Sequence, residues 1–182
     1  MVDANLPEPT LAFLASEAAS ARRPIAALTV SPAKAVRLIP ILDNLSYLFT
    51  NRKEAAVLVG RDPDDISVTA PALAVALAGH RAAGVVVTNG GEPLTVAGGG
   101  ESRSFAPLRT AVKGVNGAGD SLAAGTILGL AEGHALYDAI RFGFAAAAMT
   151  LESGSIGAAP LSQDALAERI GTGTKGGERI AS

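Results

Sequence analysis

The 182-residue chain is 48% hydrophobic, holds 15 basic against 17 acidic residues for a formal charge of -2, and contains no cysteine. That length and apolar content suit one globular domain whose core needs no covalent staple. The dispersed charge offers no basic stripe for nucleic acid, His80 and His134 alone cannot furnish a zinc site, and no apolar run nears the ~18 residues of a membrane span.

The amino terminus lacks a charged-then-apolar leader pattern, so the expected location is the cytoplasm. Residues 10–22 form an alanine-rich helical stretch with Leu11, Leu14 and Ala18 on one face, ended by Pro24. Residues 25–30 read as a buried strand. Ser31-Pro32 joins a capping residue to a proline suited to the first helical position, opening a helix to residue 39 that Pro40 disturbs. A short strand at 47–50 leads to a helix that Asn51 begins and that stops near Gly60. Beyond the polar loop 61–65, a long helix spans residues 68–81 and is terminated by Gly84.

Val85-Val86-Val87-Thr88 is the strongest strand signal, β-branched throughout and bounded by Asn89-Gly90-Gly91. Residues 94–97 and 102–105 are expected to pair as a hairpin across the glycines at 98–100. Helices at 117–132 and 135–151 meet at Gly133-His134, and an amphipathic helix covers 162–170. The glycine-rich tail 171–182 is expected to be disordered. Repeated strand-to-helix alternation predicts an α/β layered fold with a mostly parallel sheet, and ligands gather at the carboxyl ends of such strands. With only 4% aromatic residues and 21 glycines, helices can lie very close to their neighbours.

The segment Gly114 to Ser121 reads G-V-N-G-A-G-D-S. It has the glycine spacing of a P-loop but sets Asp120 where that motif requires lysine, so the charge is reversed. As a dinucleotide fingerprint it would need a third glycine at the position of Leu122. What remains is a helix start whose amides at about residues 118–121 point outward with the positive end of the dipole behind them. Such a terminus takes phosphate, and Asp120 beside it could accept the proton of an attacking hydroxyl. Simple helix capping by two glycines and an aspartate is the other reading.

The run N-G-A-G-D-S-L-A-A-G resembles the signature of the ribokinase (PfkB) family, D-T-x-G-A-G-D-x-F-x-A-G, with Gly117, Gly119, Asp120, Ala124 and Gly125 in register. Gly114 and Leu122 depart from the usual Asp and Phe. The resemblance implies a ribokinase-like three-layer α/β/α fold and an enzyme that passes a phosphoryl group from ATP to an alcohol. It makes Asp120 the catalytic base and the amides of Gly117, Ala118 and Gly119 the anion hole, with Asn116 at the nucleotide.

Asn51-Arg52-Lys53-Glu54 is similar to the family's N-x-x-E motif, which implies that Asn51 and Glu54 help hold magnesium (Mg2+) and its waters near the phosphates, Glu54 as the metal residue. Reciprocal helix capping by the same pair is the alternative. Thr88-Asn89-Gly90-Gly91 looks like the family's T-x-G-x-x-G turn at the nucleotide, with Pro93 in place of the last glycine; an ordinary tight turn is the alternative. Thr88 and Gly90 are the stronger candidates. The helix carrying R-F-G-F-A-A-A-A-M-T would wall an adenine pocket or serve only as core. This stretch, T-N-R-K-E-A and Asp3-Ala4-Asn5-Leu6 are especially similar to the pseudouridine-kinase branch.

The resemblance runs from Asp3 to about residue 170, and the family's opening strands, its D-x-x-x-G-G-x-x-x-N acceptor stretch and its β lid have no counterpart in the chain. Residues 1–170 are thus expected to be the carboxyl-terminal, ATP-binding portion of such a kinase, acting on a small sugar or nucleoside. An exposed sheet edge would be covered by self-association or a partner. The alternative is a nucleotide-binding or assembly module that cannot catalyse alone.

Overall fold

Parallel strands need a crossover between them, and the chain supplies a helical segment at each one. A computed structural model describes residues 1–80, 82–106, 110–153 and 162–173. The chain divides into two compact units, Met1–Pro107 and Leu108–Ser182.

The first unit carries a six-stranded sheet in sequential order: β1 (Val2–Asp3), β2 (Ala26–Leu28), β3 (Tyr47–Asn51), β4 (Gly84–Asn89), β5 (Glu92–Gly98) and β6 (Glu101–Phe105). The three pairings among β1 to β4 are parallel and the two among β4 to β6 antiparallel. α1 (Glu8–Ser20) joins β1 to β2, α2 (Pro32–Ala35) lies between β2 and β3, and α3 (Arg52–Leu58) and α4 (Ala70–Ala78) lie between β3 and β4. Val85, Val86 and Val87 alternate across the pleat, yet all are at most 1% exposed, as a strand covered on both faces requires. Val85 and Val87 share one core with Leu11, Leu38, Leu48, Leu73 and Leu77. This is the expected α/β fold with a mostly parallel sheet.

The valine strand and the hairpin at 94–105 form as the sequence predicts. Gly99 and Gly100, at φ 61° and 83°, make its two-residue turn, the left-handed pair that matches strand twist. Several boundaries differ. The helix expected over 31–39 ends as α2 at Ala35, and Val36–Asn44 continues as a 3₁₀ segment containing Pro40. Proline lacks the donor for an α-type bond and crowds the carbonyl four residues back, so the tighter coil takes over.

The helix expected at 68–81 begins only after Thr69, whose hydroxyl accepts the Ala72 amide at 3.4 Å, and it ends at Gly79; its expected last residue, Arg81, lies outside the described residues. Gly84, expected to stop that helix, instead opens β4.

The second unit contains α5 (Ala118–Ala131), α6 (Leu136–Ser153) and α7 (Gln163–Gly173), with Gly133 at φ 90° in the α5–α6 turn. Three glycines let α5 and α6 touch backbone to backbone. A Cβ on Gly125 would stand 2.4 Å from the Phe142 carbonyl oxygen, and one on Gly143 would stand 2.5 Å from that of Leu122. α7 runs through Gly173, so residues 171–173, expected to open a disordered tail, are helical; a helical glycine costs only about 1 kcal/mol and the preceding turn carries it. The rest of that tail, 174–182, lies outside the described residues. Among the described residues no helix is long and apolar enough to cross a membrane.

Candidate active site

In the first unit the polar residues cluster where β2, β3 and β4 end, the edge at which α/β sheets collect ligands. Asn51 closes β3 and caps α3, its Oδ1 accepting the Glu54 amide at 3.0 Å. The capping reading therefore holds for Asn51. It fails for Glu54, whose carboxylate does not reach back. Instead the Thr29 hydroxyl donates to Glu54 Oε2.

Glu54 is only 6% exposed, and no cationic side chain pairs with it among the described residues. Thr29 Oγ1 also lies 3.1 Å from Thr50 Oγ1, while the Thr88 hydroxyl donates to the Thr50 carbonyl at 3.3 Å. Three threonines from three adjacent strands thus stitch the carboxyl ends together. Sequence reasoning missed Thr29 and Thr50; each sits at a strand end, but nothing local links Thr29 to a glutamate one crossover away.

Thr88 lies near the end of β4 and Gly90 in the turn that follows it. Asn89 pairs with Glu92, leaving Gly90 and Gly91 as the turn residues, and the register shifts between Val87 and Asn89. Gly90 has φ 61°, and Cβ atoms on Gly90 or Gly91 would meet nothing within 4 Å. The backbone here is a tight hairpin turn, with open space around its two glycines.

In the second unit the candidate loop is ordered by one residue. Gly117 adopts φ 78° and ψ 0°, a left-handed conformation that turns the chain into α5. Four amides at a helix start lack intrahelical acceptors, and here two of the expected donors at 118–121 are already used. The Ala118 amide donates to the Val115 carbonyl at 3.4 Å and that of Ser121 to Gly117 at 2.9 Å. Among the described residues the amides of Gly117, Gly119 and Asp120 have no acceptor. The expected row of free amides is thus a triplet interrupted at Ala118.

Asn116 and Asp120 are exposed. The Asp120 carboxylate has no hydrogen bond or ion pair among the described residues, and it stands in the first turn of α5. Gly119 has neither a positive φ nor any atom within 4 Å of where a Cβ would lie. Folding does not demand glycine there; its effect is to leave the free amide open to another molecule. Behind the loop, the Ser121 and Thr150 hydroxyls meet at 2.7 Å and tie the start of α5 to α6.

Both histidines lie in exposed pairs, His80 with Asp43 at 3.0 Å and His134 with Glu132 at 3.8 Å.

Residues 1–163 match the family model of the pfkB family carbohydrate kinases. Among solved structures, a carbohydrate kinase from Agrobacterium tumefaciens is 37% identical, with a TM-score of 0.77 over 93% of this chain and 53% of its own. The ribokinase of Thermotoga maritima matches at 22% identity and a TM-score of 0.74, over 96% of this chain and 55% of its own. Phosphofructokinase-2 from Escherichia coli matches at 24% and 0.71, over 93% and 53%. The chain spans about half the length of these structures. No match was found among curated proteins.

Proposed function

The chain belongs to the pfkB family of carbohydrate kinases, and from that premise we propose that it serves transfer of the γ-phosphoryl group of ATP to a hydroxyl of a sugar or nucleoside. A ribosyl compound such as pseudouridine is the favoured acceptor, on the likeness of the segments around Asp3, Asn51 and Phe142 to that branch. Residues 1–170 are read as the ATP-binding portion of such a kinase, working in the cytoplasm where ATP is at hand.

One observation carries the reading: an exposed, unpartnered carboxylate on Asp120 adjoins free amides at the start of α5. An anion held by those amides and a hydroxyl approaching it would meet Asp120 as the nearest base. Asp120 takes the hydroxyl proton as the new O–P bond forms and the bond from the γ-phosphorus to the β,γ-bridging oxygen breaks, that electron pair leaving with ADP. The amides of Gly117 and Gly119, with Ala118 once its long bond to Val115 is given up, face the charge on the transferred group. Asn116, Asn51, Thr88 and Gly90 are assigned to the nucleotide.

Glu54 is assigned to magnesium. Among the described residues no three His, Asp or Glu side chains gather to hold a metal unaided. That suits Mg2+, which is bound through one or two carboxylates and completes its octahedron with phosphate oxygens and water. When present with the nucleotide it neutralises phosphate charge. Association with a second copy or a partner along β1, which ends the described sheet, belongs to the same reading and is measured by sedimentation.

The test is phosphate transfer to pseudouridine, ribose and related acceptors by the chain and its Asp120→Asn variant. Because Asp120 is exposed and makes no hydrogen bond or ion pair among the described residues, the variant should fold normally while turnover falls by about 10²–10⁴-fold. Undiminished turnover would remove Asp120 as the base. Binding of an ATP analogue with magnesium but no transfer to any acceptor would point to the nucleotide-binding module instead.

A further inference from the structure

We propose that Thr29 and the strained turn at Val30 form a positioning device that fixes one oxygen of the Glu54 carboxylate and leaves the other for the metal ion; the inference rests on the assignment of Glu54 to magnesium. A buried carboxylate without a cation is costly unless hydrogen bonds or an ion replace its water. Glu54 has one such bond, from the Thr29 hydroxyl to Oε2. Among the described residues Oε1 has none, yet no buried side-chain polar atom among them is left unpartnered. Oε1 is therefore reachable from solvent. One carboxylate oxygen belongs to the fold and the other faces outward.

The backbone around Thr29 is held on both sides. Its amide donates to the Phe49 carbonyl at 3.3 Å, and its carbonyl accepts the Ser31 amide at 2.8 Å across Val30. Val30 adopts φ 68°. A bond from residue to residue-plus-two with positive φ at the centre is the rare, strained γ-turn, and a β-branched side chain makes it worse. Burial does not compensate, since Val30 is 43% exposed. Strain of this kind persists where the surroundings dictate it and concentrates at functional sites.

The surroundings here are specific. The turn sends the chain from β2 straight into α2, which packs against α3, the helix that bears Glu54. A relaxed turn would free both the exit of β2 and the direction of the Thr29 hydroxyl. Partners of a metal ligand that orient it in this way are worth about 10- to 100-fold in metal affinity.

The experiment follows Mn2+ as a probe for magnesium by its electron paramagnetic resonance signal, titrated into the full chain with a non-hydrolysable ATP analogue, alongside thermal melts without metal. Thr29→Val keeps the shape and removes the hydroxyl; it should weaken Mn2+ binding about 10-fold or more, and Thr29→Ser should restore most of the loss. Val30→Gly accepts the positive φ without strain, so it should keep the turn, the melting temperature and the Mn2+ affinity, whereas Val30→Pro, with φ fixed at about -65°, cannot form the turn and should lower Mn2+ affinity. A merely structural Thr29 would lower the melt and leave affinity alone.

If Glu54→Gln weakens Mn2+ binding but Thr29→Val and Val30→Pro do not, the positioning role is overturned while Glu54 keeps its assignment. If Glu54→Gln binds like the wild type, or the wild type binds no Mn2+, the assignment fails and the inference with it. Should Thr29→Val not fold, unchanged affinity in Thr29→Ala, which also lacks the hydroxyl, overturns the proposal by itself.

Discussion

Glycines that look alike in the sequence have opposite reasons for being glycine. Gly119 meets nothing and has an ordinary φ, whereas Gly143 faces Thr126 Oγ1 at 2.2 Å and the Leu122 carbonyl at 2.5 Å from where a Cβ would stand. Gly119→Ala should therefore leave the melting temperature nearly unchanged and reduce nucleotide affinity and turnover, because the methyl crowds the free amide. Gly143→Ala should instead destabilise by about 1–3 kcal/mol through overpacking. Parallel thermal melts and nucleotide titrations distinguish them, and a large loss of stability in Gly119→Ala would refute the idea that its space is kept for a ligand. Residue type announced the loop; only coordinates separate glycines that admit a ligand from those that admit a helix.

Among elements, the end of α6 is fastened by Glu152. The hydroxyl of Thr110 donates to this carboxylate, which with the charges of Arg169 and Lys113 holds its pKa below the ordinary 4.5. A carboxylate depressed in the folded state adds stability above the unfolded value, and that contribution drains away as pH falls through the lower folded one. Wild type should thus melt above Glu152→Gln at neutral pH, with the gap closing in acid. A gap that persisted or widened in acid would contradict this sign.

Legibility at this scale varied for physical reasons. β4 was readable because three valines bounded by glycines favour only a strand, and the Asn51 cap was readable because capping is local. The 3₁₀ segment was not, since Pro40 weakens an α-helix without saying what replaces it. The Thr29–Glu54 contact was not, since it closes only when β2 and α3 are packed by the sheet.

For the molecule as a whole, the α/β fold followed from alternation of strand and helix, while the division into Met1–Pro107 and Leu108–Ser182 left no mark in composition. Within the sheet-bearing unit, the two kinds of pairing differ in how far the chain must travel to make them. β4, β5 and β6 are joined by glycine turns, so their antiparallel ladders close between near neighbours. Every ladder from β1 to β4 waits for a whole crossover to be ordered first. Loop closure taxes the second kind far more. Refolding should consequently begin at the glycine-linked meander: Val96→Ala should slow folding, and Leu48→Ala should chiefly speed unfolding. Stopped-flow chevrons of the two variants would reverse that order if the parallel half led. The threonine-stitched strand ends would then be among the last features to mature, and a chain caught partway would possess its hairpin before the Thr29–Glu54 contact that ties β2 to α3.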